Sequence, residues 1–239
     1  MVVQPAYLMK KIFQNLRENW ITYGFETLVV IVGILIAYTL NNWNQEGKDK
    51  AREIQLLSEL HKEMESTEAR WTRSLEISKK EIASKQAVID VISAELPWHD
   101  SLQQHFNRFH FYQAYVISKT SYNSLESWGF NNLSNDSIRT QITQLFQQSD
   151  QYIEKLNEVE YDLMIGDLIG AFSSQLDFGN PSAVKPVEHE DFIKRKDLGL
   201  RLRYVKMATL FSNKQRIVVL KEISNLKNNL KAEINRLEK

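Results

Sequence analysis

The stretch FETLVVIVGILIAYTLNNWNQ, residues 25–45, decides the architecture. Leu28 to Leu40 are thirteen residues without a charge, and no charge appears between Thr27 and Gln45. A hydrocarbon core of ~30 Å needs ~20 helical residues. The apolar run alone is short, but its flanks complete it. Trp20 and Tyr23 precede it and Trp43 follows. As a helix, the two tryptophans would stand ~34 Å apart, the separation of two aromatic belts. No small-residue cleavage site follows in YTLNNWNQEG. A membrane helix is therefore predicted over residues 23–43. Lys10, Lys11 and Arg17 on one side balance Lys48, Lys50 and Arg52 on the other, so the positive-inside count is a tie. A short basic N-terminus before an apolar run has the layout of an uncleaved signal anchor. That layout predicts a bacterial inner-membrane protein with its soluble part in the periplasm. Residues 1–22 carry Leu8, Ile12, Leu16 and Trp20 at helical spacing, which fits an amphipathic segment lying on the membrane surface.

The membrane segment carries polar groups that need an explanation. At ~100° per residue, Glu26, Val30, Gly33, Ala37, Asn41 and Asn44 share an arc of about 80°. Leu28, Ile31, Leu35 and Trp43 lie outside it. Lipid tails cannot satisfy polar groups, so a stripe of small and polar residues faces another helix. The expected partner, besides the bilayer, is a second copy of the chain or a membrane partner subunit. Glu26 and Asn41 are near the ends of the run and could equally rest in the two headgroup layers. Gly33 and Ala37 are central.

The remainder, residues 44–239, reads as a helical soluble domain, so the fold class is all-α: one transmembrane helix continuing into a long-helix antiparallel, coiled-coil-like bundle. Only 8 Gly and 4 Pro punctuate 239 residues. Leu57, His61, Met64, Glu68, Trp71, Leu75, Ser78 and Ile82 step by four and three within a long helix over about 44–96, which Pro97 ends. Short helices are predicted between 100 and 129, one capped by Asp100 or Ser101 through FNRFHFYQAY, another over about 120–128 ending at Gly129. Asn135 or Asp136 caps a second long helix over 136–178, whose stripe is Ile138, Ile142, Leu145, Ser149, Tyr152, Leu156, Val159, Leu163, Gly166 and Gly170. GNPSAVKP, residues 179–186, breaks it. A third long helix, 191–238, presents Val219, Ile223, Leu226, Leu230, Ile234 and Leu237. No segment alternates long enough to predict a strand.

Thirty basic and thirty acidic residues cancel, which argues against a nucleic-acid partner. The neutrality hides two fields. Residues 136–191 carry 11 acids and 3 bases, net −8, and residues 192–239 carry 4 acids and 13 bases, net +9. One account is an antiparallel helix pair whose flanking charges attract. Another is a basic C-terminal helix meeting anionic lipid or an acidic partner.

Cysteine is absent, which removes disulfides and thiolate chemistry. His61, His99, His105, His110 and His189 form no HExxH, and His105 and His110 fall on different helix faces. EHED, residues 188–191, suits a helix N-terminus. Gly166 and Gly170 in GDLIGAF suit close helix contact. There is no phosphate loop and no nucleophile elbow. No catalytic site, metal site or cofactor is expected.

YGFETLVVIVGILIAYTLNNWNQE resembles the signature of an uncharacterised family of single-pass membrane proteins widespread in Bacteroidota, with its acidic residue, Gly-Ile-Leu core and Asn-x-Trp-Asn-Glu exit. Asn42, Trp43, Asn44 and Glu46 match that exit loosely, since Gln45 intervenes. SYNSLESWGFNNLSNDSIRTQITQLF, residues 121–146, matches a second family segment. The resemblance implies a location and a fold and no reaction. The expected function is a membrane-anchored helical scaffold or interaction protein that self-associates. The alternative is a channel subunit with Glu26 facing a pore.

Overall fold

The computed structural model describes Met9 and residues 20–239. The amphipathic reading of residues 1–22 therefore falls almost entirely outside the described residues. Among the described residues the fold is all-α, with one minimal hairpin and an extended segment between the helices. It forms two compact units, one ending at Arg52 and one spanning Glu53–Lys239.

Helix α1 (Trp20–Ala94) runs without interruption. No proline and only three glycines fall within it. It stops at Glu95, whose left-handed φ of 51° turns the chain just ahead of Pro97. In the second unit, α1 presents Leu57, Met64, Trp71 and Leu75 to the core, with His61 half-buried among them.

The chain then returns along α1. A 3₁₀ turn (Asp100–Leu102) leads into α2 (Gln103–Phe106), and His99 rather than Asp100 caps it, accepting from the Ser101 amide. The aromatic run is not a helix beyond Phe106. It extends from Phe111 to Lys119 and delivers Phe109, Tyr115 and Ile117 into the core. Helix α3 (Thr120–Trp128) ends at Gly129, whose φ of 99° a side chain would resist. Asn135 then caps α4 (Asp136–Gln144) by accepting from Ser137 and Ile138 amides.

The second long helix departs from its expected rhythm. It is three α segments, α4, α5 (Asp150–Tyr161) and α6 (Gly170–Phe172), joined by π turns at Leu145–Ser149 and Asp162–Ile169. In the first, the Asp150 amide donates to the Leu145 carbonyl, five residues back. A π turn accommodates one extra residue and rotates the helix beyond it. Ile138, Ile142 and Leu145 are buried as the stripe requires, but past the turn the buried set becomes Asp150, Ile153, Leu156, Glu160, Met164 and Leu168, of which Leu156 alone belongs to the expected stripe. Tyr152 and Val159, expected inside, are exposed.

After α6, β1 (Leu176–Asp177) pairs antiparallel with β2 (Lys185–Pro186) around the Gly/Pro turn. This hairpin is too short to show alternation in sequence. Helix α7 (His189–Phe192) precedes α8 (Lys196–Leu237). Asn135 and Asn229 donate to Glu233 and Gln141, and Ser149 donates to Glu222. These bonds set α4–α5 antiparallel to α8, as expected. Among the described residues, however, the −8 and +9 fields meet in a single ion pair between these helices, Glu160 with Arg216. Most of the opposed charge therefore faces solvent.

Two apolar clusters fill the second unit. One gathers Leu57, Trp71, Ile142, Ile153, Ile223 and Leu230. The other gathers Ile89, Phe106, Phe109, Phe172, Phe192 and Leu202.

Candidate functional site

Two features stand out: the apolar part of α1 and a buried polar layer in the bundle. Every residue of α1 from Trp20 to Arg52 is exposed. This helix is long and apolar enough to cross a membrane by length and composition. Two of its threonines satisfy their hydroxyls within the helix. Thr27 Oγ1 donates to the Tyr23 carbonyl at 2.7 Å and Thr39 Oγ1 to Leu35 at 2.8 Å, the back-bonding that a lipid surround demands. Glu26, Val30, Gly33, Ala37, Asn41 and Asn44 are all exposed. A Cβ placed on Gly33 would meet nothing within 4 Å, so the close approach that this glycine permits is not used within the chain.

The polar layer lies between the two apolar clusters. From α1 come Ser78, Glu81 and Lys85, from α5 Asn157 and Glu160, from α8 Asn213 and Arg216. Tyr115 comes from the extended segment. Arg216 is 1% exposed. It pairs with Glu160, donates to Asn213 at 3.2 Å and to Asn157 at 3.1 Å, and sits 4.2 Å from the centre of the Tyr115 ring. Asn213 donates onward to Ser78 at 2.8 Å.

Asn157 replaces a missing strand. Its amide nitrogen donates to the Tyr115 carbonyl at 2.7 Å and its oxygen accepts from the Tyr115 amide at 3.2 Å. An extended segment with no sheet neighbour thereby keeps both backbone groups paired. Tyr112 adds a bond from its hydroxyl to the Asn157 carbonyl at 2.9 Å, and Trp71 donates to the Val116 carbonyl at 3.1 Å.

Burial dominates the electrostatics. It pushes the Glu81 carboxyl above its ordinary range against the pull of Lys85. It pushes the Lys85 ammonium down against Glu81 and Glu160, and the Tyr115 phenol up against Arg216. The cavity among these groups measures about 10 Å³, room for one water. The layer is closed to a substrate-sized molecule. What it can do is fix which faces of α1, α5 and α8 meet, a role for which buried charge networks are suited.

Sequence periodicity does not reveal this layer. Ser78 is only one polar step in the α1 repeat, while Glu81 and Lys85 fall at the adjoining inward positions. Glu160 escapes the count because the π turn shifts it inward. The histidines do not converge. His189 bonds the Leu96 carbonyl at 2.9 Å, His105 lies 3.3 Å from Ser84 Oγ, and among the described residues no group of three or more His, Asp or Glu is placed to hold a metal ion.

These features define an all-α protein with, among the described residues, one helix of membrane-spanning length and composition. The chain belongs to a family of unknown function, DUF6090, whose model matches residues 26–209. The matched span runs from Glu26 into the first part of α8 and takes in Ser78, Glu81, Lys85, Tyr115, Asn157 and Glu160 of the polar layer but stops short of Asn213 and Arg216. No curated protein and no solved structure matches the chain.

Proposed function

We propose that this protein is a membrane-anchored helical scaffold that self-associates. The observation that carries the reading is the exposed apolar part of α1, residues 20–43, joined in one chain to a bundle whose polar interior is closed. An apolar surface of this length needs cover, and a bilayer with Trp20 and Trp43 at its two faces supplies it. The stripe Glu26, Val30, Gly33, Ala37, Asn41 and Asn44 then meets another helix, with Gly33 and Ala37 allowing backbones to approach and Asn41 bonding across the contact. In the signal-anchor orientation, Glu53–Lys239 is exported across a bacterial inner membrane and presents the bundle to partners. No reaction is assigned.

The test is a membrane two-hybrid assay with C-terminal reporter fusions in parallel. The parent should associate, Gly33→Ile should lose association, and Leu35→Ile should keep it. Association by both variants at the parent level overturns the stripe. A reporter active only in the cytoplasm overturns the orientation. Ion conductance that Glu26→Gln alters would replace the scaffold with the pore reading.

A further inference from the structure

We infer that Glu53–Lys239 carries a second self-association face, in which an apolar ridge on α8 of one copy docks on the acidic flank of α5 in another. The inference deepens the proposed self-association and rests on it for the second copy, but it uses different residues.

The ridge is Leu200, Tyr204, Met207, Phe211 and Val218, which are 66, 66, 62, 52 and 52% exposed. They share an arc of about 60° opposite the buried face of α8. The arc turns polar beyond Val218, where Asn225 and Asn229 take the same phase. A ridge of about 27 Å with a defined end is a seam, not scattered exposure. Tyr204 and Phe211 also share phase with Glu222 and Asn229, which bond Ser149 and Gln141. The ridge therefore borders the α4–α5 side of the bundle.

Charge selects the occupant. Residues 198–221 contain six bases and no acid, so two such ridges repel. Residues 150–167 contain six acids and one base, and Tyr152, Val159 and Ile165 lie exposed among them. Within a chain, among the described residues, the one ion pair that joins the two stretches is Arg216–Glu160. Lys119 pairs with Asp150 and Glu154, and Lys155 with Glu158, so among the described residues Asp162 and Asp167 are the acids of this flank outside any ion pair, and they are the ones that face a partner's Lys214. Gly166 and Gly170 add space, since a Cβ on either would meet nothing within 4 Å. A two-fold axis along the bundle keeps both copies level. The Arg216–Glu160 pair then sets Phe211 level with Ile165 and Lys214 level with Asp162, with Gly166 open to the partner's ridge.

The full chain has no cysteine, which makes the test direct. Copies bearing only Phe211→Cys are mixed in membranes with copies bearing only Gly166→Cys and treated with a short bis-maleimide. A product of twice the chain mass is expected from the mixture. Lys214→Glu should cut its yield roughly tenfold, and Asp162→Lys in the other copy should restore it. Gly33→Ile should lower the yield, because this face rests on copies already brought together by the membrane stripe, and should leave the dependence on Lys214 and Asp162 intact. No mixed product while the parent still associates overturns this face alone; loss of all association overturns both faces. Phe211→Cys copies linking chiefly to one another would show ridge against ridge and refute the assignment. So would Lys214→Glu without effect, or a monomeric chain whose ridge instead binds anionic vesicles.

Discussion

At the scale of single residues, Arg216 has the most at stake. Its guanidinium is buried with two carboxylates nearby, and removing one partner of such a network leaves the other charge in a dry interior. Arg216→Met should destabilise the bundle by about 3–5 kcal/mol, read as a lowered denaturation midpoint at unchanged slope. Adding Glu160→Leu should recover much of the loss, because an apolar pair of similar volume often replaces a buried ion pair at little cost. A double variant no better than the single would mean that Glu160 is held by something other than Arg216. Glu81 gives a prediction in pH. Its folded carboxyl titrates above the ordinary glutamate value because of burial. Between those two values the folded chain binds a proton that the unfolded chain does not, so stability rises as pH falls through that window. Glu68 and Glu233 are held low by bonds from Lys227 and Arg236. Their contributions are present above the ordinary value of about 4.3 and fade only as pH falls below it. The two effects therefore occupy different pH ranges. Burial holds the His110 imidazole below its ordinary value, which gives the opposite slope over the same range. The Glu81 contribution is therefore read as the difference between parent and Glu81→Gln denaturant midpoints, a difference that should grow in the parent's favour from neutral to weakly acid pH.

At the scale of elements, the π turns separate what sequence periodicity can show from what it cannot. A four-three stripe finds α1 and α8 because no residue is inserted: Leu57, Met64 and Trp71, like Ile223, Leu226 and Leu230, are buried at their expected positions. The same count fails after Leu145, where one added residue moves every later position by about 100°. Nothing in LFQQS announces the turn, and the acids it carries inward, Asp150 and Glu160, look like surface residues until their partners Lys119 and Arg216 are placed. The polar layer is illegible in the sequence for that reason, whereas the shared phase of Glu26, Gly33 and Asn41 depends on local helix geometry alone. The π turn also predicts a contrast between deletions. Removing exposed Gln148 should let Leu145–Ser149 close as ordinary α-helix while the helix beyond keeps its phase, with a melting temperature close to the parent's. Removing exposed Glu158 deletes the same kind of side chain but rotates Glu160 and Met164 out of the core, and that variant should lose its cooperative melt. Equal tolerance of both deletions would show that the π turn does not hold the phase.

At the scale of the whole molecule, the membrane assignment rests on a surface that the chain itself does not cover. Trp20 and Trp43 are 67 and 73% exposed, while Trp71 is 1% exposed in the bundle. The chain has five tryptophans, so single-tryptophan versions can report each position separately. In vesicles carrying brominated acyl chains, Trp20 and Trp43 should be quenched most by bromines near the headgroups, because indole settles at the interface with its ring apolar and its N–H wet. Trp71 packs edge-on against Tyr115 at 5.3 Å and donates to the Val116 carbonyl, and its emission should not respond to lipid. The two ends also separate a spanning helix from one lying flat on the membrane. A span puts quencher-accessible tryptophans at both leaflets, so a lipid brominated only in the outer leaflet should quench one of the two strongly and the other weakly. A surface helix would expose both to the same leaflet and give equal quenching. The unequal result is expected here, since ~34 Å between the two rings matches the bilayer's interfacial spacing. Which tryptophan responds to the outer leaflet then fixes the orientation that the tied basic flanks leave open.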